Sequence, residues 1–167
     1  STIEVPMLRK HELIACHGMG RRMHLWRYGH FGPPLLVFPS ASGMAHEWEA
    51  QGMVEALADF IDDGRLKLYC TESNVSEAWT NRERDAAWRL ERHQRFESYV
   101  VDELCAYIRE DCRTPGIPIA VSVPVAGSPG GGGRVTVITT PVAGANLFFT
   151  VPRFLAKVFQ QLGLTGP

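Results

Sequence analysis

The sequence lacks the residue spacings of a zinc site and of a phosphate-binding loop. Its four cysteines, Cys16, Cys70, Cys105 and Cys112, form no C-x-x-C pair, so no metal-ligand pattern supports a zinc site. We therefore expect free, partly buried thiols in a reducing compartment. The four glycines at 130–133 are not followed by the Lys-Ser/Thr of a phosphate-binding loop, and we expect neither a metal nor another cofactor.

Long apolar runs and an excess of charge of either sign are also missing. No stretch approaches the roughly 18 uninterrupted apolar residues that a transmembrane helix needs, and the N-terminus lacks the charged-then-apolar pattern of a secretory signal. We therefore expect a cytoplasmic protein that does not bind membranes. The formal net charge is −1, which gives no electrostatic reason to expect nucleic acid as a partner.

The size and composition are those of one folded domain. The chain has 167 residues, of which 45% are hydrophobic and 21% are charged, as in ordinary globular proteins. We therefore predict a single domain over residues 1–167. The segment 82–95 is dense in charge, but its acids and bases nearly cancel, which is typical of a solvated helix face.

Strand-like and helix-like segments alternate along the chain. Two short strands joined by a hairpin at Gly18 and Gly20 precede the apolar run Leu35–Phe38, which is typical of a central strand covered on both faces. Helical spacing follows over Trp48–Ile61 and again over Phe96–Ile108. Strands at 66–70 and 117–121 complete an order that predicts an α/β fold with a mostly parallel sheet and helices on both faces.

Several segments in this order resemble the esterases of the α/β-hydrolase fold that are related to S-formylglutathione hydrolases and mycolyltransferases. The resemblance covers residues 20–121 and implies an α/β-hydrolase-like sheet, cut short after the strand that follows the elbow helix. The segments that carry it are Leu35–Gly43, His46–Trp48, Gly52–Leu57, Gly64–Cys70, Glu77–Trp79 and Tyr99–Leu104.

The resemblance implies a serine-type carboxylic ester hydrolase that acts on small acyl esters through an acyl-enzyme. The loop Ser40, Ala41 and Ser42 would then lie beside the active site and lend a backbone N–H to the oxyanion hole. The alternative for this loop is a plain connection whose serine caps the following helix. The nucleophile should follow the strand 117–121 on a G-x-S-x-G turn.

The sequence departs from the family pattern at that turn. Residues 122–143 are rich in glycine, proline and valine and contain a single charge, Arg134, whereas the tail 144–167 again resembles the family. The chain ends before the family's catalytic acid and histidine. An insertion or a locally altered reading frame explains residues 122–143 as well as an evolved active-site turn does.

The candidate catalytic residues are Ser128 and His46. Ser128 fits the relaxed A-x-S-x-G form of the turn, although Pro129 after it has no N–H to donate to an oxyanion. Ser122, at the end of the predicted strand, is a second candidate. His46 lies on the oxyanion-side loop and is the candidate base. The alternative is a catalytically silent hydrolase fragment or binding module, whose exposed sheet edge would favour a homodimer.

Overall fold

A computed structural model describes residues 7–39 and 42–113 with their side chains, and the backbone of residues 118–124 and 133–139. Within these residues, six strands form one sheet in the order β1-β2-β4-β3-β5-β6. The strands are β1 Arg9–Cys16, β2 Arg21–Tyr28, β3 Pro34–Phe38, β4 Lys67–Thr71, β5 Pro118–Pro124 and β6 Gly133–Thr139. The helices are α1 Glu47–Ala50, α2 Met53–Ala56, α3 Ala58–Asp62, α4 Ala86–Ser98 and α5 Cys105–Cys112, and a π-helical segment, Tyr99–Leu104, joins the last two.

The predicted N-terminal hairpin is confirmed. β1 and β2 pair in antiparallel register, with Ile14 opposite Met23 and Cys16 opposite Arg21, and Gly20 in the turn has a φ of 68°. Met23 and Leu25 alternate with more exposed neighbours along β2 and are fully buried. One face of the hairpin therefore belongs to the core, as the period-2 pattern predicts.

The prediction of a mostly parallel, α/β-hydrolase-like sheet is wrong. Among the six described strands, only β3 pairs in parallel, with β4 on one side and β5 on the other, whereas β1–β2, β2–β4 and β5–β6 are antiparallel. The sheet is therefore mixed, with more antiparallel than parallel pairings. The direction of β6 has a simple cause, because a parallel neighbour needs a crossover of about a dozen residues, and only residues 125–132 separate β5 from β6.

The sheet carries an apolar cluster on each face. On one face, α1–α3 contribute Trp48, Val54, Leu57 and Ile61, which pack with Leu35, Val37 and Leu68 of the sheet. On the other face, the π-helical segment and α5 contribute Tyr99, Leu104 and Ile108, which pack with Met23, Leu36 and Tyr69. β3 is thus covered on both sides, as its continuous apolar run predicts. α4 has no buried residue, which confirms the charged segment 82–95 as mainly a solvated approach to the helix.

The single helix predicted over Trp48–Ile61 is instead three short helices. Gly52, between α1 and α2, has a φ of 79°, a left-handed conformation that ends one helix before the next begins. Gly64, with a φ of 70°, follows α3, where the sequence predicts the helical region to end. Among the helices of the described residues, none is long and apolar enough to cross a membrane.

Arg113 ends α5 in a left-handed conformation, with a φ of 52°. This conformation is costly for a residue with a Cβ and is normally given to glycine at a helix end. We therefore expect Arg113→Gly to raise the free energy of unfolding by about 1 kcal/mol, measured by urea denaturation. Arg109→Gly, inside the same helix, is the control and should lower it by about 1 kcal/mol. A loss of stability in Arg113→Gly would contradict the assignment of strain.

Candidate functional site

The carboxyl ends of the parallel strands β3 and β4 form one edge of the sheet and carry the loops with the candidate residues. Ligands of sheets with parallel strands bind most often outside the carboxyl ends of those strands. The loop after β3 contains Ser42, Gly43 and His46, and the loop after β4 begins at Glu72. The two loops touch, since the N–H of Ser73 donates to the carbonyl of Gly43 at 3.2 Å. This contact fixes the spacing of the two loops at the carboxyl edge.

The predicted site residues are only partly within the described structure. Ser42 and His46 are exposed, and His46 precedes α1 without a side-chain cap to the helix. No hydrogen bond within the described residues joins these two side chains. Ser40, Ala41 and Ser128 lie outside the described residues. The expected helix-capping alternative for the loop finds no support at α1, because its cap is His46 and not a serine.

Backbone register brings Ser122 to the same edge. Phe38, the last residue of β3, pairs with Val121 of the parallel strand β5. Ser122 is the next residue of β5, and its backbone lies one position beyond the end of β3. Ser122 is therefore next in register to the start of the loop that leads to Ser42 and His46.

Glu49, on α1, is an acidic group near His46 that sequence reasoning missed. Its carboxylate accepts a hydrogen bond from the Tyr28 hydroxyl at 2.9 Å and pairs with Arg9 at 2.6 Å. Burial alone would raise the pKa of Glu49, but the hydrogen bonds from Arg9 and Tyr28 and the charges of Arg9 and His46 lower it below its usual value. Glu49 is therefore held ionised beside His46. Its spacing of three residues from His46 at a helix start was the available signal.

Glu72 anchors the loop after β4 and was also missed. It is 5% exposed, and its Oε1 accepts hydrogen bonds from Arg21 Nη1 and from the backbone N–H of His24, each at 2.8 Å. Arg21 also reaches Glu77, which pairs with Arg92. The network joins β2, the loop after β4 and α4, so Glu72 holds this side of the edge in position. Its place directly after a buried strand was the signal for it.

A second polar cluster lies at the opposite, amino edge of β3 and β4. Asp111 of α5 accepts hydrogen bonds through one oxygen, Oδ2, from Lys67 Nζ at 2.6 Å, Arg27 Nη1 at 3.1 Å and the Tyr69 hydroxyl. The Sγ of Cys112 is 2.9 Å from the same hydroxyl. Burial, together with hydrogen bonds to Asp111 and Cys112, raises the pKa of Tyr69 far above its usual value. Tyr69 therefore stays a neutral donor.

The cysteines and the acidic residues do not form a metal-binding cluster in the part of the chain that the structure describes. All four cysteines are free thiols, of which Cys16, Cys70 and Cys105 are buried and Cys112 is partly exposed, which confirms the expectation of free, partly buried thiols. Among the described side chains, no group of three or more His, Cys, Asp and Glu is close enough to hold a metal ion.

Comparison with known proteins identifies no relative of this chain, because no family model and no curated protein matches it. The resemblance to the esterases therefore stays a prediction that depends on the segments named above.

Proposed function

We propose that the chain is a serine-type carboxylic ester hydrolase that acts on small acyl esters through an acyl-enzyme at the carboxyl edge of β3, β4 and β5. The observation that carries the proposal is the parallel register of β3 and β5. Phe38 pairs with Val121, so the serine that follows Val121 is next in register to the loop that leads to Ser42 and His46. This serine, Ser122, therefore becomes the first candidate nucleophile, and Ser128, the first candidate from the sequence, becomes the second.

The chemistry requires a base and an oxyanion donor near the serine. The serine Oγ attacks the ester carbonyl carbon, its proton passes to a base, and the protonated base returns it to the departing alkoxide. Water then cleaves the acyl-enzyme by the same route. Backbone N–H groups of the loop Ser40, Ala41 and Ser42 would stabilise the negative oxygen of the tetrahedral intermediate.

His46 is the candidate base because it lies on the loop that follows β3, at the carboxyl edge of the sheet. Glu49, three residues further along on α1, is held ionised by Arg9 and Tyr28. The free thiols of the described residues also favour the cytoplasmic location that we propose for the enzyme.

A fluorophosphonate probe tests this proposal, because it labels only serines activated as nucleophiles. We expect one adduct per chain, on Ser122 or Ser128, located by peptide mass spectrometry. Alanine at the labelled position should abolish the adduct, and His46→Gln should slow its formation by about 100-fold or more, since general-base assistance contributes at least that much. Ser98→Ala, at an exposed serine in α4, is the matched control and should be labelled at the wild-type rate.

Two results would contradict the enzyme. The first is the absence of labelling in a protein whose far-UV circular dichroism spectrum shows an intact fold. The second is labelling that persists in both Ser122→Ala and Ser128→Ala, which would exclude both proposed nucleophiles. The alternative, a silent binding module, predicts the first result together with a dimer in light scattering. β6 is the outer strand on its side of the described sheet, and outer strands offer unpaired backbone groups to another chain.

A further inference from the structure

A cavity of about 480 Å³ opens at the amino edge of β3 and β4, at the other end of these strands from the proposed catalytic edge. This volume is within the range of small-molecule pockets, about 300 to 1,000 Å³. One wall is apolar and consists of Phe31, Pro33 and Pro34. Phe31 is 72% exposed, so a molecule in the cavity would have an apolar surface to cover.

The neighbouring wall is charged, and its Lys67 pairs in register with Pro34 of the apolar wall. Lys67, Arg113 and Asp111 line this charged wall, so its formal charge is one positive unit when Asp111 is ionised. Asp111 already accepts hydrogen bonds from Lys67, Arg27 and Tyr69. Its negative charge is therefore shared between the Lys67 and Arg27 cations. Lys67 is held against Asp111 with its side chain only 9% exposed, which fixes one positive group at the wall without the mobility of a surface lysine.

We propose that this cavity binds a small organic monocarboxylate, whose carboxylate contacts Lys67 and Arg113 and whose apolar body packs on Phe31, Pro33 and Pro34. The two walls match the two ends of such a molecule, because carboxylates form charge-assisted hydrogen bonds with ammonium and guanidinium groups. Asp111 in the same wall repels a second negative charge, which selects a monoanion over a phosphate dianion. This site is independent of the proposed esterase activity.

Cys112 provides a reporter inside the cavity. It lines the charged wall and is the partly exposed cysteine, whereas Cys16, Cys70 and Cys105 are 5%, 2% and 9% exposed. A small alkylating reagent such as iodoacetamide should therefore react first at Cys112 in the folded chain. A molecule that fills the cavity should slow this reaction without affecting the three buried thiols.

The test measures the rate of Cys112 alkylation by peptide mass spectrometry with three probes of one shape. Benzoate, at millimolar concentration, should slow alkylation in a saturable manner, whereas neutral benzamide and cationic benzylamine should not. Inorganic phosphate should protect less than benzoate at equal concentration. Arg113→Gln should weaken benzoate protection about tenfold, as expected for the loss of one charge-assisted contact.

Arg84→Gln is the matched control, because Arg84 is exposed and does not line the cavity. It should leave benzoate protection unchanged. Protection by benzamide equal to that by benzoate, no protection by any probe, or full protection in Arg113→Gln would each overturn the proposal. Fluorophosphonate labelling is the separate readout of the esterase proposal, so a failure at one edge of the sheet is distinguishable from a failure at the other.

Discussion

Replacement of Gly32 by alanine is expected to lower the free energy of unfolding by about 4 kcal/mol, the sum of backbone strain and overpacking. Gly32 has a φ of 113°, which side chains rarely tolerate. A Cβ at this position would lie 2.7 Å from the backbone nitrogen of Leu66, 2.8 Å from the carbonyl oxygen of Gly64 and 2.9 Å from the carbonyl carbon of Arg65. These are backbone atoms, so no rotamer change relieves the contacts.

Alanine substitutions at two other glycines separate the effect of backbone strain from that of overpacking. Gly18 has open space around the position of a Cβ and no positive φ, so Gly18→Ala should change stability by less than about 0.5 kcal/mol. Gly52 also has open space but a φ of 79°, and Gly52→Ala should cost about 1 kcal/mol from backbone strain alone. Urea denaturation of the three variants measures the order of their free energies of unfolding. Equal midpoints for Gly32→Ala and Gly18→Ala would contradict the close packing of the loop before β3 on the loop before β4.

Local patterns in the sequence were sufficient for individual elements of this fold. The apolar run at Leu35–Phe38 predicted a strand covered on both faces, and the glycines before β2 predicted the hairpin. Strand direction at β6 was beyond these patterns, because it depends on the length of the connection after β5. The left-handed Gly52 that divides α1 from α2 was also missed, since the apolar spacing continues across it.

Ser42 and His46 were named from the sequence because the resemblance to the esterases implies that their loop lies beside the active site. The partners that tune the polar groups come from distant positions, such as Tyr28 for Glu49 across 21 residues and Tyr69 for Asp111 across 42 residues. No spacing in the sequence records such pairs, because the packing of helices on opposite faces of the sheet brings them together.

Replacement of Asp111 by asparagine is expected to lower the free energy of unfolding by about 2 kcal/mol at neutral pH, because it leaves the largely buried Lys67 ammonium without its charged partner. The Lys67 side chain is 9% exposed and lies 2.6 Å from Asp111. Arg27, 14% exposed, pairs with the same oxygen at 3.1 Å. Asparagine has the same size but no charge, so Lys67 would remain in a largely buried position without its carboxylate.

The effect of this substitution should depend on pH. Burial acts to raise the pKa of Asp111, but hydrogen bonds from Lys67 and Tyr69 and the charges of Lys67 and Arg27 lower it below its usual value. A carboxyl group whose pKa is lower in the folded chain stabilises the fold fully above its unfolded pKa, about 3.9. That contribution is lost as the pH falls through the folded pKa. The difference between wild type and Asp111→Asn should therefore shrink below about pH 4.

Glu110→Gln is the matched control, since Glu110 is an exposed carboxylate that neighbours Asp111 on α5. It should change stability by less than about 0.5 kcal/mol at any pH. Urea denaturation of both variants at pH 7 and at pH 3 measures the two effects. An equal loss of stability in Asp111→Asn at the two pH values would assign the effect to packing and not to charge. A loss no larger than that of Glu110→Gln at pH 7 would mean that Lys67 and Arg27 do not depend on this carboxylate.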